Sequence, residues 1–383
     1  MPITSHDALV SALTSGQAVG PVPSLKTTTP VHTVNGWHCL AGLAGTSGAT
    51  TYPGTDLLWS HCDESGGDGT TSFGVPHGGP VSPATKHLTR LSAMMVAAAG
   101  APWTAQLVDL LGYYRLSTTN VTGTGSRVLI NSNTFTASSS SGLLLTYTND
   151  FKNLTRVRFT NSGGALPTGL TAGTTYWLVR VSSTTARVAT SYANALAGTV
   201  VAYTDAGTGT HTMTIRPRYD GVGAQAMFVV QTAPTAGGPN MTASSYTNSA
   251  GTGSRAFQGS PSFGAAADAY AARVPHSGTG SGRNQYLPLQ GGDAGILSID
   301  SFTLSTGTAY TGSGVMAVCL VKPLGPEVPL PVTGVVQMID TVNQIPSLDK
   351  IEDGACLTWL LWGTGATTNS SPFMGSLSAA WSE

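Results

Sequence analysis

The sequence predicts a mainly β chain with a few helices, arranged as β-sandwich-like domains with one β module inserted into a helix-containing β host domain. Three observations carry this prediction. Residues 174–181 alternate, with Thr175, Trp177, Val179 and Val181 on one face and Thr174, Tyr176, Leu178 and Arg180 on the other. They stand between the turn signal Leu166-Pro167-Thr168-Gly169 and two further strand-like runs, 186–189 and 199–203. Apolar runs of strand length recur at 226–232, 296–304, 315–321 and 335–339, each bounded by Gly or Pro. Between Thr122 and Pro217 the text turns to Thr, Ser and Gly, and apolar aromatic language returns only at Arg218 and Tyr219. The organisation this implies is a helix and extended arm over 1–30, a host domain made of 31–121 plus 218–383, and an inserted β module over 122–217, with Trp177 and Val179 in the module's core.

The elements follow in chain order. Ser5 can cap a short helix in which Asp7 lies in the first turn, Ala8, Leu9, Ala12 and Leu13 make a narrow apolar stripe, and Gly16 closes it. Two turns of helix are marginal alone, so the arm is expected to dock on its own domain or on a neighbour. Pro21, Pro23 and Pro30 mark an extended connector. Residues 31–79 are loop-rich, with Trp37 and Trp59 as aromatic anchors. A helix is predicted over 82–99, because Ser82 can cap, Pro83 fits the first helical position, Leu88, Leu91, Met95 and Ala98 recur at helical spacing, and Gly100 stops it. A second is predicted over 104–111, between Pro102 and Gly112. Residues 234–292 read as a long small-residue loop, of a kind more natural lying across a neighbouring subunit than inside a free-standing domain. Trp359, Trp362, Phe373 and Trp381 near the end are expected to be buried, some of them between subunits.

Composition narrows the function. Only 9% of residues are charged, against about 25% in typical soluble domains, and the 17 Lys plus Arg balance 18 Asp plus Glu. A surface of Gly, Ser, Thr and Asn has little like-charge repulsion to keep copies apart, which suits an assembly. With 40% hydrophobic residues the chain is not of disordered composition. No basic block exists to neutralise phosphates, so nucleic acid is not an expected partner. The first residues lack a basic region followed by an apolar core, and no apolar stretch approaches the ~18 residues of a membrane span, so the expectation is a soluble chain made in a cytoplasm.

Candidate chemistry is sparse. His38-Cys39 and His61-Cys62 supply the residue types of a zinc site, with Asp63, Glu64 and Asp68 close behind as a weaker calcium possibility. Adjacent residues on a strand point to opposite faces, which argues against each pair reaching one ion; packing is the favoured reading and no metal is assigned. Cys319 and Cys356 lie in apolar strand-like runs, where a free thiol behaves as a small hydrophobe. No nucleophile elbow, phosphate loop, dinucleotide fingerprint or zinc-protease helix motif is present, and the Gly-rich run from Gly278 to Gly282 lacks the Lys and following helix of a phosphate loop. No catalytic residue and no cofactor is expected.

The run from Leu166 to Met213, with the order LPxGLxAGTxYxxV, a short strand and then xGTGTHTM, resembles a small β domain that recurs in bacteriophage virion proteins of tail, fibre and head. The resemblance implies a virion setting: a structural protein, a capsid decoration or minor capsid protein in which arm and host domain hold neighbours and the module projects. The alternative it implies is a tail, baseplate or tail-fibre component whose β domain recognises a receptor or glycan. Heptads and many short repeats, the usual marks of fibre shafts, are absent. Expected partners are other virion subunits, capsid or tail proteins, and copies of itself as a homo-oligomer, a trimer being one form; a cell-surface glycan enters with the alternative, and no membrane does.

Overall fold

The computed structural model describes residues 3–26, 36–41, 54–64, 74–96, 102–117, 125–138, 144–232, 241–259, 261, 273–274, 285–304, 315–345, 347–364 and 372–382. They form a mainly β structure, with strands numbered here along the chain. Its centre is β5 (Trp103–Leu116), paired with β17 (Val315–Leu330) on one side and with β20 (Leu357–Gly363) and then β3 (Trp59–His61) on the other. β17 continues to β13 (Gln225–Thr232), and β13 runs through β15 (Arg273–Val274) and β2 (Gly36–Cys39) back to β20. These antiparallel pairings therefore close into a ring. Alternate residues Val108 and Leu110, Met227 and Val229, and Ala317, Cys319 and Val321 make one buried cluster with Trp37, Cys39 and Leu360, as the inner face of a closed sheet must.

The opposite face of the ring builds two more cores. Trp103, Ala105, Leu107, Leu324, Leu357 and Trp359 pack on a second sheet through its Leu88, Leu91, Ala93, Met95, Phe373 and Leu377. That sheet has the order β1 (Ala18–Lys26), β21 (Phe373–Ser382), β4 (Thr85–Met95), β18 (Gln337–Asp340), with β19 (Lys350–Ile351) also on β4. Elsewhere on the ring, Phe228 and Val318 meet Tyr246, Ile299 and Phe302 from a three-stranded sheet of β14 (Met241–Asn248), β16 (Ile296–Leu304) and β6 (Gly125–Val128). Each contact is sheet on sheet, the two-layer solution by which a half-apolar sheet hides its face.

Between β6 and Pro217 the chain makes a second closed barrel. Its strands are β7 (Ser132–Ser138), β8 (Leu144–Tyr147), β9 (Arg156–Ser162), β10 (Thr175–Arg180), β11 (Thr185–Ala189) and β12 (Thr210–Ile215), in the order β10, β11, β8, β7, β12, β9. Phe135, Leu145, Phe159, Tyr176, Leu178, Val188 and Met213 fill it. Entry and exit lie side by side, since the Ile215 amide donates to the Asn131 carbonyl at 2.9 Å.

Several expectations are corrected. Residues 82–96, the described part of 82–99, and residues 104–111 are not helices: they carry β4 and β5. In β4 Arg90 faces Ser378 while Leu88 faces Ala379, so Thr89 bulges and two leucines three residues apart reach the same core. A bulge thus imitates helical spacing. β5 is buried on both faces, so its apolar run is continuous and gives no alternation to read. On β10 the inward residues are Tyr176 and Leu178, and Trp177 and Val179 lie outside the barrel against Tyr192 and Ala195 of α2 (Tyr192–Leu196). Both faces of that strand carry apolar residues, so alternation could not say which faces in. Residues 199–203 form no strand, although the Val201 amide still donates to the Val188 carbonyl at 2.7 Å. The proline-marked connector is β1 as far as Lys26, paired along β21; residues 27–30 lie outside the described part. The long loop 234–292 contains β14 and β15, while Gly278 to Gly282 lie outside the described residues.

The N-terminal helix is as expected. α1 (His6–Thr14) is capped by Ser5, whose Oγ accepts from the Ala8 amide at 3.1 Å, and it buries Leu9 and Ala12 against Ile3, Leu348 and Ala380 of the same chain. Trp359 and Phe373 are buried, and Trp362 and Trp381 half-buried. No helix among the described residues is long and apolar enough to cross a membrane.

Candidate functional site

The residues singled out by chemistry in the sequence are placed as follows. His38 and Cys39 are adjacent on β2, both buried, with Cys39 inside the ring. His61 ends β3 and Cys62 follows it; all four cysteines are free, buried thiols of the same cluster. Burial first, and then the neighbouring Cys356, push the Cys62 thiol well up, so it stays protonated and unreactive. Burial, with Arg218 beside it, lowers His61 to about 3 and keeps the ring neutral. Among the described residues no group of three or more His, Cys, Asp or Glu side chains could hold a metal ion. Asp68 lies outside them.

The chain instead gathers its scarce charges where the barrel meets the ring. Arg218, 2% exposed, donates from Nε and Nη2 to the two carboxylate oxygens of Asp109 at 2.8 and 2.6 Å, and to the carbonyls of Cys62 and Leu110 at 2.6 and 2.8 Å. Asp109 also accepts from the Cys356 amide at 2.9 Å. Just outside this pair, Asp220 receives Arg158 at 3.0 Å and Arg156 and Arg216 at 3.8 Å, while Arg156 donates to Glu352 at 2.7 Å. Arg156 and Arg158 belong to β9, and Asp220 and Glu352 to the host side, so these bonds orient barrel on ring. The turn that delivers them is tight. Tyr219 and Asp220 have φ of 59° and 47°, and a Cβ on Gly221 would stand 2.2 Å from the Ile296 carbonyl oxygen. Sequence reading met this stretch only as a composition boundary; the signal it held was an Arg and an Asp flanking an aromatic before Gly in a charge-poor chain.

Beside the junction a second buried array forms. Lys86 Nζ donates to the carbonyls of His77 and Gly79 and to His77 Nδ1 at 2.8, 2.5 and 3.0 Å, and His77 Nε2 reaches the Ala355 carbonyl at 3.0 Å. Burial, then the Lys86 charge, lowers His77 to about 4.

An open groove of about 600 Å³ lies on the barrel wall. Thr134 and Thr136 of β7, Thr146 and Thr148 at β8, Thr208 in the loop and Thr210 of β12 line it, all exposed. Among the described residues no Asp, Glu, Lys or Arg does. One wall is the turn 206–209, held from behind. Asp205 accepts from the amides of Thr168 and Gly207 at 3.1 and 2.9 Å and from the Thr168 hydroxyl, bonds that lower its pKa. His211 Nε2 donates to the Ala206 carbonyl at 3.0 Å while Nδ1 accepts from Asn161 Nδ2 at 2.7 Å, and Asn161 also donates to the Thr208 carbonyl at 2.8 Å. One neutral tautomer of His211 satisfies both contacts.

No protein-family model and no curated protein matches the chain. Among solved structures it aligns, over 80% of its length each time, with that of the infectious bursal disease virus Gt strain (84% of that chain, 12% identity, TM-score 0.14) and with the VP2 subviral particle of infectious bursal disease virus (83%, 14%, 0.13). A third, of T=1 particles derived from infectious bursal virus, covers 80% of that chain at 12% identity and a TM-score of 0.14. At these TM-scores the alignments carry no argument about the fold or the work of this chain.

Proposed function

We propose that this chain is a structural component of a bacteriophage particle, a capsid-associated decoration or minor head protein that binds neighbouring subunits and projects its inserted barrel. The observation that carries the reading is that the run from Leu166 to Met213, which resembles virion β modules, lies within one closed barrel whose entry and exit are adjacent. Supporting it are the 9% charge content and the exposed apolar side chains on the outer sheet, Leu25 and Met374 at 55% and 40% and Met338 at 62%. No catalytic step belongs to this reading. Partners are other virion subunits and copies of the chain itself, and the place of action is the virion. Such contacts depend on apolar burial rather than ion pairs, so co-sedimentation with particles should persist in 1 M salt, where screening acts within ~3 Å. Removing residues 1–30 should weaken that attachment, because α1 and β1 shape the face that carries Leu25. Release by salt alone, or no attachment to any particle fraction, refutes the proposal.

A second reading, a tail or baseplate component whose barrel contacts a receptor, is favoured by the groove on the barrel wall. It is separated from the first by immunogold labelling of head or tail.

A further inference from the structure

We infer that the groove on the inserted barrel binds a neutral, polyhydroxylated chain, a short stretch of oligosaccharide; this rests on the second reading above. The lining decides the chemistry. Thr134, Thr136, Thr146, Thr148 and Thr210, all exposed, present hydroxyls that both donate and accept, each with a methyl beside it, which complements the alternating hydroxyl and C–H surfaces of a sugar, while Thr208 Oγ1 accepts from the Ala165 amide at 3.1 Å. Thr136 stands opposite Thr146 in the β7–β8 ladder, so the hydroxyls repeat at roughly 4.8 Å across strands and about 6.8 Å along them.

Among the described lining residues an anionic ligand finds no Lys or Arg, and a cationic one no carboxylate. A purely apolar ligand finds little surface, since the aromatic residues at the groove, Phe135 and Tyr147, are each 5% exposed. The size fits a small ligand, about 600 Å³ against the usual range of roughly 300–1,000 Å³. The wall is formed in advance. A Cβ on Gly207 would meet the Ala165 carbonyl oxygen at 2.6 Å, and the Thr208 amide donates to that same oxygen at 2.8 Å, so the turn is pressed onto the barrel and need not be ordered on binding. An open groove with no exposed ring to stack on a sugar implies weak binding, a Kd on the order of 0.1–1 mM per site.

The test uses the full chain and saturation-transfer NMR with titration against neutral trisaccharides built on glucose, galactose and N-acetylglucosamine, with sialyllactose as the charged control. At least one neutral trisaccharide should bind in that range. Replacing two hydroxyls by methyls in Thr136→Val/Thr146→Val, at exposed positions, should weaken binding about tenfold, as the loss of two ordinary hydrogen bonds does, with the melting temperature unchanged. If that pair disturbs the barrel, Thr148→Val/Thr210→Val provides the same reading. No binding by any neutral sugar, equal binding of sialyllactose, or binding untouched by the folded variants overturns the inference. None of those outcomes alters whether the chain co-sediments with particles, so the two proposals fail separately.

Discussion

Arg218 carries a full charge into a site where water is excluded, and it is tolerated because Asp109 and two carbonyls meet its guanidinium edge. Truncating one partner leaves the other charge buried alone. Arg218→Met should therefore cost about 3–5 kcal/mol, while Arg218→Met with Asp109→Leu should recover a large part of it. Denaturant unfolding of both variants checks this, and a loss under about 1 kcal/mol for the single change contradicts it. The buried histidines give a pH dependence. His61 and His77 are held neutral in the fold at about 3 and about 4, below the usual 6.5, so the unfolded chain binds protons first as pH falls. Their contribution is complete above pH ~6.5 and is lost progressively on acidification towards those folded values, on the order of 1 kcal/mol per pH unit per histidine. Thermal melts between pH 7 and 4 should show the decline, and His77→Gln should flatten it. A curve unchanged by His77→Gln contradicts the assignment.

At the level of elements, β4 shows how one residue sets a strand's facing. Thr89 is the extra residue that lets Leu88 and Leu91 enter one core, and the Thr341 amide and hydroxyl fix the bulge through the carbonyls of Thr89 and Leu88 at 3.0 and 2.8 Å. Deleting Thr89 should leave a regular strand in which Leu88 and Leu91, then two residues apart, keep the core face, at a cost of about 1 kcal/mol, whereas inserting an alanine between Arg90 and Leu91 should turn one flank of β4 by a full face and cost more than about 3 kcal/mol, as a buried leucine is lost from its core. Comparison of the two by urea unfolding tests it; similar stabilities would mean that the bulge does not set the facing. α1 and β1 illustrate the same dependence on context. Neither has enough apolar surface to stand alone, and both lie on β21, which β4 pairs along its other edge.

The described residues form two closed barrels and two covering sheets, joined where Arg156, Arg158 and Arg218 of the barrel and its exit meet Asp109, Asp220 and Glu352. β6, inside the stretch expected to form the module, pairs instead with β16, so an excision that respects the sheets begins after it. We expect that joining Asn131 to Arg216, which removes all six barrel strands, leaves a remainder that unfolds cooperatively, because the ring and the sheet of β1, β21, β4 and β18 keep their own cores. Loss of the cooperative transition or insolubility of the shortened chain counts against an independent module. The thermal transition of the remainder should fall modestly, since Arg156 no longer bridges to Glu352.

By itself the sequence determined what local chemistry can determine. β-branched runs between Gly and Pro gave the strands at 226–232 and 296–304, Ser5 and its stripe gave α1, and the low charge count gave a surface poor in ions. Tertiary structure decided whatever depended on partners far along the chain. Which face of β10 turns inward depends on α2 covering Trp177 from outside, and whether residues 82–99 form helix or strand depends on a bulge registered against β21, more than 280 residues away. The groove was illegible for the same reason. Its threonines read in sequence as loop and strand surface, and only closure of the barrel sets β7, β8 and the 206–209 turn around one concavity. The charged junction joins residues more than 100 positions apart, a distance over which the chemistry of neighbouring residues carries no information.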